Sequence, residues 1–170
     1  MKTLTLLRHA KSEWDDPSLS DFERPLNARG RSAARAMGRE MGALGLAWDR
    51  IVASPAARVT ETIDGLVESY GPLAPVYDEA IYLASLDALL DIVRATDDAH
   101  ATLLIVGHNP GMERLALLLS RGGPLHDEIA LKYPTGSLVE IALPVDHWRE
   151  VAESRGTLVR FLRPRDLGAG

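Results

Sequence analysis

Three short, largely apolar runs, Leu4–Leu7, Arg50–Ala53 and Thr102–Val106, constrain the fold of this chain more than any other feature. Each has the length and apolar continuity of a strand buried on both faces, and each precedes a segment whose apolar residues recur at helical spacing. Strands that alternate with helices need crossover connections, which bring the strands together in parallel and lay the helices over both faces of the sheet. The expected fold class is therefore α/β, a three-layer sandwich with a largely parallel central sheet. A chain of 170 residues suits one core of this kind, so residues 1–170 read as a single domain.

Local signals place the helices. Asn27 is the expected cap of a first helix, in which Ala33, Ala34, Met37, Met41 and Leu44 recur at three- and four-residue spacing up to Gly45. Ser54-Pro55 is expected to open a second helix, as cap and first helical residue, that runs to about Tyr70. A third spans roughly Ser85–Ala95, with Leu86, Leu89, Leu90 and Val93 on one face. Asn109 and Pro110 open a fourth, Met112–Ser120. After Gly122-Gly123-Pro124 the pattern changes to two strands, Ser137–Leu143 and Thr157–Leu162, joined around Asp146-His147-Trp148. Between Asp15 and Pro25, proline and acidic residues predict an irregular surface loop, and Ala169-Gly170 reads as a frayed tail.

Charge and composition exclude several function classes. Nineteen Lys and Arg stand against 24 Asp and Glu, for a formal charge of -5, so no global positive field draws in nucleic acid or an anionic membrane, and neither is an expected partner. The chain has no cysteine, which removes disulfides, thiolate zinc sites and cysteine nucleophiles. Asp15, Asp16 and Asp21 have no metal-ligand spacing and read as solvated loop charges, so no metal and no cofactor is expected. No apolar run approaches the ~20 residues that span a bilayer. The apolar stretch before Arg8 is too short for a signal peptide, and the expected location is the cytoplasm.

His9 and His108 each follow a predicted buried strand, and in open α/β sheets the crevice beyond the carboxyl ends of the strands is where ligands bind. Either histidine alone is more often structural; two at equivalent places point into one crevice. Arg8 ends an apolar strand with a charge that needs a partner. Arg58, taken by itself, reads as a solvated helix arginine, but its place after the second strand lets it converge with the others, and guanidinium groups match phosphate oxygens bidentately.

The segment Leu7-Arg8-His9-Ala10-Lys11-Ser12-Glu13-Trp14 resembles the signature of the histidine phosphatase superfamily, whose fold is phosphoglycerate-mutase-like. Arg24-Pro25-Leu26-Asn27-Ala28-Arg29-Gly30 resembles the start of that family's first helix, Ser54–Thr62 its second-arginine motif and Val106-Gly107-His108-Asn109-Pro110 its second-histidine motif. The short length and the Arg24-Pro25-Leu26-Asn27 segment resemble the SixA-like phosphohistidine phosphatases. The resemblance implies that His9 is a nucleophile forming a phosphohistidine intermediate. It also implies that Arg8, Arg58 and His108 hold the phosphoryl oxygens, with contacts from Ser12 and Asn109 at the rim. By order along the chain, Glu79 is the candidate acid for the leaving group; the alternative is a solvated loop carboxylate. Ser12 equally reads as a hydroxyl meeting water, and Trp14 either walls the pocket or packs on the core. His100, His126 and His147 fit no motif and read as exposed or structural. The implied partner is a phosphorylated protein or a small phosphorylated compound. The competing readings are a phosphoglycerate-mutase-like phosphatase of a small phosphoester, for which the chain has little length to build a lid, and a non-catalytic phosphate-binding module, for which a nucleophile is superfluous.

Overall fold

Alternation of side chains along the buried strands decides which helices cover which face of the sheet. In the computed structural model, which describes residues 1–168, β1 (Lys2–Arg8) sends Leu4 and Leu6 into one apolar layer and Leu7 into the other, and β4 (Thr102–Gly107) divides Leu103 and Ile105 from Leu104 and Val106 in the same way. The first layer is closed by α3 (Leu86–Arg94), α4 (Gly111–Leu119) and α5 (Pro124–Leu131), which contribute Leu89, Val93, Met112, Leu115 and Ile129. The second is closed by α1 (Ala28–Ala43) and α2 (Ala57–Tyr70) through Met37, Met41, Val59, Ile63 and Leu66. These two helices pack closely because Gly38 faces α2; a Cβ there would stand 2.6 Å from the Leu66 carbonyl oxygen.

The remaining strands are β2 (Arg50–Ala53), β3 (Val76–Tyr77), β5 (Leu138–Leu143) and β6 (Thr157–Leu162), and the sheet order is β3-β2-β4-β1-β5-β6. From β3 to β1 all neighbours are parallel; β5 and β6 add antiparallel. The fold is thus the α/β sandwich with a largely parallel sheet that the strand and helix alternation requires. Asn27 caps α1 by accepting from the Gly30 amide at 2.8 Å, and Ser85 caps α3 through the Ala88 amide at 3.1 Å.

Two expectations are corrected. Helix α2 begins at Ala57 and not at Pro55, and it carries no side-chain cap, because the Ser54 hydroxyl accepts from the Ala56 amide and turns to His108. The stretch after Gly123 opens with a helix, α5, before the two strands; only Ile129 of its eight residues is buried, so its amphipathic signal is faint. Ala169-Gly170, read as a frayed tail, lie outside the described residues. Among the described residues no helix is long and apolar enough to cross a membrane.

Candidate active site

Strands β1 and β4 are adjacent and parallel with Arg8 opposite Gly107, so His9 and His108 leave the sheet side by side. The His9 amide donates to the Gly107 carbonyl at 3.1 Å, and the two imidazole centroids are 5.4 Å apart. Ala53 pairs with Val106, which brings Ser54 to the same edge, where its hydroxyl meets His108 Nε2 at 2.8 Å. Arg58 follows one helical turn later. Four residues read from the sequence, Arg8, His9, Arg58 and His108, therefore share one end of the sheet. Arg58 is only 2% exposed, which overturns the reading of a solvated helix arginine.

The histidines are held in defined protonation states. His9 Nδ1 lies 2.7 Å from the Ala10 carbonyl oxygen, which can only accept, so Nδ1 carries the proton and Nε2 keeps its lone pair. Burial lowers the pKa of His9 to about 3; the bond to Ala10 opposes the shift and the charges of His108, Arg58 and Arg8 add to it. His9 is consequently a neutral nitrogen base throughout the physiological range. Burial, with Arg58 next, lowers His108 to about 4. The Ser54 oxygen already accepts from the Ala56 amide, so its O–H is satisfied by donating to Nε2, and that assignment puts the proton of neutral His108 on Nδ1.

Among the described residues four buried side-chain polar atoms lack a hydrogen-bond partner, and three of them are Arg8 Nε, Arg58 Nε and His108 Nδ1. An unpaired buried donor costs about 1–3 kcal/mol. Three of them around a free imidazole lone pair are chemically suited to a tetrahedral oxyanion, with the lone pair directed at its central atom.

The flanking loops fix these groups. Arg8 Nη1 donates to the Tyr133 carbonyl at 2.9 Å. Arg58 gives Nη1 to the Asp21 carbonyl at 2.6 Å and Nη2 to the Asp21 carboxylate at 3.0 Å. The same carboxylate accepts from Arg24 Nη2 at 3.0 Å and from the Tyr82 hydroxyl. Burial acts to raise the pKa of Asp21, but the bonds from Tyr82, Arg24 and Arg58 outweigh it and hold the carboxylate well below its usual range. The Tyr82 ring in turn stands edge-on to His108, with centroids 5.4 Å apart. Asp21 is thus a hub as well as an exposed loop charge, its side chain 44% accessible; backbone hydrogen bonds tie Glu13 to Pro25 across the loop and Phe22 to Ala57 of α2. Nothing local to Asp21 signals this. Arg24, Ser54 and Thr62, by contrast, lie within the motif segments.

The other candidates are less central. Ser12 is buried, so its hydroxyl does not meet only water; it accepts from Arg24 and joins the cluster through that residue. Asn109 spends its amide on the Tyr133 carbonyl at 3.4 Å and on the Glu113 amide at 3.2 Å, bracing the turn that carries His108. Glu79 is exposed in the 3-10 turn Glu79–Ile81, and its carboxylate has no hydrogen bond or ion pair among the described residues. Trp14 is 74% exposed and does not pack on the core; the Arg24 guanidinium lies 3.6 Å from its ring centroid. His126 and His147 bond Ser120 and Asp98, away from these groups.

Known proteins resemble this chain in sequence and in fold. A profile of the histidine phosphatase superfamily (branch 1) matches residues 4–82. An uncharacterised protein of Mycobacterium tuberculosis is 31% identical over 164 residues, covering 94% of this chain and 100% of the relative. A solved structure of a candidate phosphohistidine phosphatase SixA from Agrobacterium tumefaciens is 28% identical, with a TM-score of 0.79 over 96% of this chain and 98% of that one. A second such candidate, from Nakamurella multipartitia, is 25% identical with a TM-score of 0.83 and covers 96% of both chains.

Proposed function

Because this chain belongs to the histidine phosphatase superfamily and is a SixA-like phosphatase, we propose that it removes phosphate from phosphohistidine in a protein, through a covalent intermediate on His9. The observation that carries this reading is the free Nε2 of a neutral, buried His9 beside the unpartnered donors of Arg8, Arg58 and His108. The likeness to two SixA structures supports the substrate class.

In the first step His9 Nε2 attacks phosphorus as the bond to the substrate imidazole breaks, and the phosphoryl group passes to His9. Water then attacks the phosphorus, the bond to His9 breaks, and inorganic phosphate leaves. Arg8, Arg58 and the Nδ1 proton of His108 hold the equatorial oxygens, where preorganised donors are commonly worth ~2.7–4 kcal/mol each. Glu79 is the proposed acid for substrates whose leaving group needs a proton. The reaction takes place in the cytoplasm and draws its positive charge from the two arginines, so turnover is expected to persist in excess chelator; strict dependence on added magnesium or zinc contradicts the scheme.

The test is a rapid quench with a phosphohistidine protein as substrate. Phosphate is expected on His9 as an adduct stable in alkali and lost in acid, and His9→Ala is expected to lack it. Undiminished turnover in His9→Ala removes the mechanism. A screen of phosphohistidine proteins against small phosphoesters tests the substrate class, and preference for one alkyl ester overturns it.

A further inference from the structure

Behind the loop that holds Arg8 lies an open groove of about 430 Å³ whose lining carries five cations, Lys11, Arg29, Lys132, Arg163 and Arg165. Glu128 lines it as well, and Asp166 stands beside Arg163 at 2.8 Å and Arg165 at 3.8 Å. Arg163 also lies 3.9 Å from Glu128, so Glu128 and Asp166 match Arg163 and Arg165, and Lys11 and Lys132 stand as uncompensated cations in a chain whose formal charge is -5. Lys11 and Lys132 are exposed, and their ammonium groups have no hydrogen bond or ion pair among the described residues. The surface between the charges is apolar. Leu131, at 89% exposed, and Pro134 and Pro164 supply it.

The groove shares its wall with the catalytic cluster. Lys132, Pro134 and Thr135 line it, while in the same stretch the Tyr133 carbonyl accepts from Arg8 and the Gly136 amide donates to the carbonyls of Arg8 and His9. A Cβ on Gly136 would meet Pro164 at 2.9 Å and Ala10 at 3.8 Å, so the groove wall and the His9 segment both crowd the same residue. Lys11 is two residues beyond His9.

We infer that this groove docks an acidic segment of the phosphorylated protein substrate, with an apolar side chain of that segment covering Leu131. The inference rests on the phosphohistidine-protein reading and adds to it where the protein is held. Charge complementarity selects an acidic partner, and the exposed leucine selects a polypeptide over a small polyanion, since a bare phosphate chain leaves that apolar surface wet. Because the 132–136 segment borders both the groove and the cluster, a substrate whose phosphohistidine enters the site can rest its flank in the groove. Free phosphohistidine or nitrophenyl phosphate fills only the catalytic cluster.

The experiment compares the wild type with Lys132→Glu/Arg165→Glu and with Leu131→Ser, each on a histidine-phosphorylated acidic protein and on nitrophenyl phosphate. For the phosphoprotein, charge reversal is expected to raise KM at least ~10-fold, equivalent to ~1.4 kcal/mol, and Leu131→Ser about 3-fold. The kcat/KM for nitrophenyl phosphate is expected to stay within about 2-fold, which also reports correct folding. The wild-type KM for the phosphoprotein is expected to rise with salt. If the wild type hydrolyses the phosphoprotein and charge reversal leaves its KM unchanged, the docking face alone is overturned. If the wild type hydrolyses nitrophenyl phosphate but no phosphohistidine protein, the substrate reading falls and the docking face with it. Inhibition by tripolyphosphate that vanishes on charge reversal, with the phosphoprotein KM unaltered, makes the groove a small-anion site and overturns the inference.

Discussion

Asp21 takes two of the five donors of Arg58 and leaves three, Nε among them, for an anion. A planar fork held in this way presents its remaining donors at fixed angles, which an ammonium does not reproduce. Arg58→Lys is therefore expected to lose at least ~10-fold in kcat/KM on nitrophenyl phosphate, or ~1.4 kcal/mol of transition-state stabilisation. Asp21→Asn keeps the shape of the hub but removes its charge, and should reduce kcat by about 10-fold while the fold stays intact by circular dichroism; wild-type kinetics in that variant would make Asp21 a surface residue with no part in catalysis. Glu79 is tested by leaving group. Protonated imidazole departs readily and an alkoxide does not, so Glu79→Gln is expected to slow alkyl phosphoester hydrolysis far more than phosphohistidine or nitrophenyl phosphate hydrolysis. Equal losses on all substrates would assign it to folding or phosphate placement.

Helix α2 is tied to the loop after β1 by one hydroxyl: Thr62 Oγ1 accepts from the Ala10 amide at 3.0 Å and donates to the Arg58 carbonyl at 2.6 Å. That link sets the spacing between His9 and Arg58. Thr62→Val keeps the volume but strands a buried amide, and is expected to cost about 1–3 kcal/mol in a urea titration together with a fall in kcat. Helix α1 is braced against the same loop, because Gly30 abuts Lys11 so closely that a Cβ would lie 2.0 Å from its carbonyl oxygen. The sequence makes such elements visible where the signal is local. Asn27 caps the helix it was expected to cap, the third helix starts beside Ser85 as its apolar spacing predicts, and β1, β2 and β4 follow from continuous apolar runs. The two histidines and two arginines were legible because each ends a strand, directly follows one or lies within the following helix. Asp21, the Ser54 hydroxyl and Tyr82 were not, since their meaning comes from partners 37, 54 and 61 positions away. Helix α5 escaped for a different reason, having a single buried residue to mark its period.

At the scale of the whole molecule, the two clustered histidines, His9 and His108, couple folding to pH. Both have folded-state pKa values far below the ordinary 6.5, about 3 for His9 and about 4 for His108, chiefly because burial disfavours the charged ring. Below pH ~6.5 the unfolded chain takes up protons that the folded chain refuses, so the folded state is destabilised as pH falls, by at most ~1.4 kcal/mol per pH unit for each histidine, less for the shallower His108. The loss continues until the pH reaches the folded values; above pH ~6.5 both states hold neutral rings and the contribution is constant. Asp21, with its pKa held low, loses its stabilising charge only at still lower pH. Down to the pI near 5.5, global charge works in the opposite direction, because titrating the formal charge of -5 toward zero relieves self-repulsion. A fall in stability between pH 6.5 and 5.5 then points to buried groups. We expect urea midpoints to drop steadily across that window in the wild type, and the slope to flatten in His9→Asn/His108→Asn, even though the double variant is inactive. An unchanged slope in the double variant would move the titrating groups elsewhere and would mean that His9 is not held neutral by burial, which would also remove the reason for its nucleophilicity at acid pH.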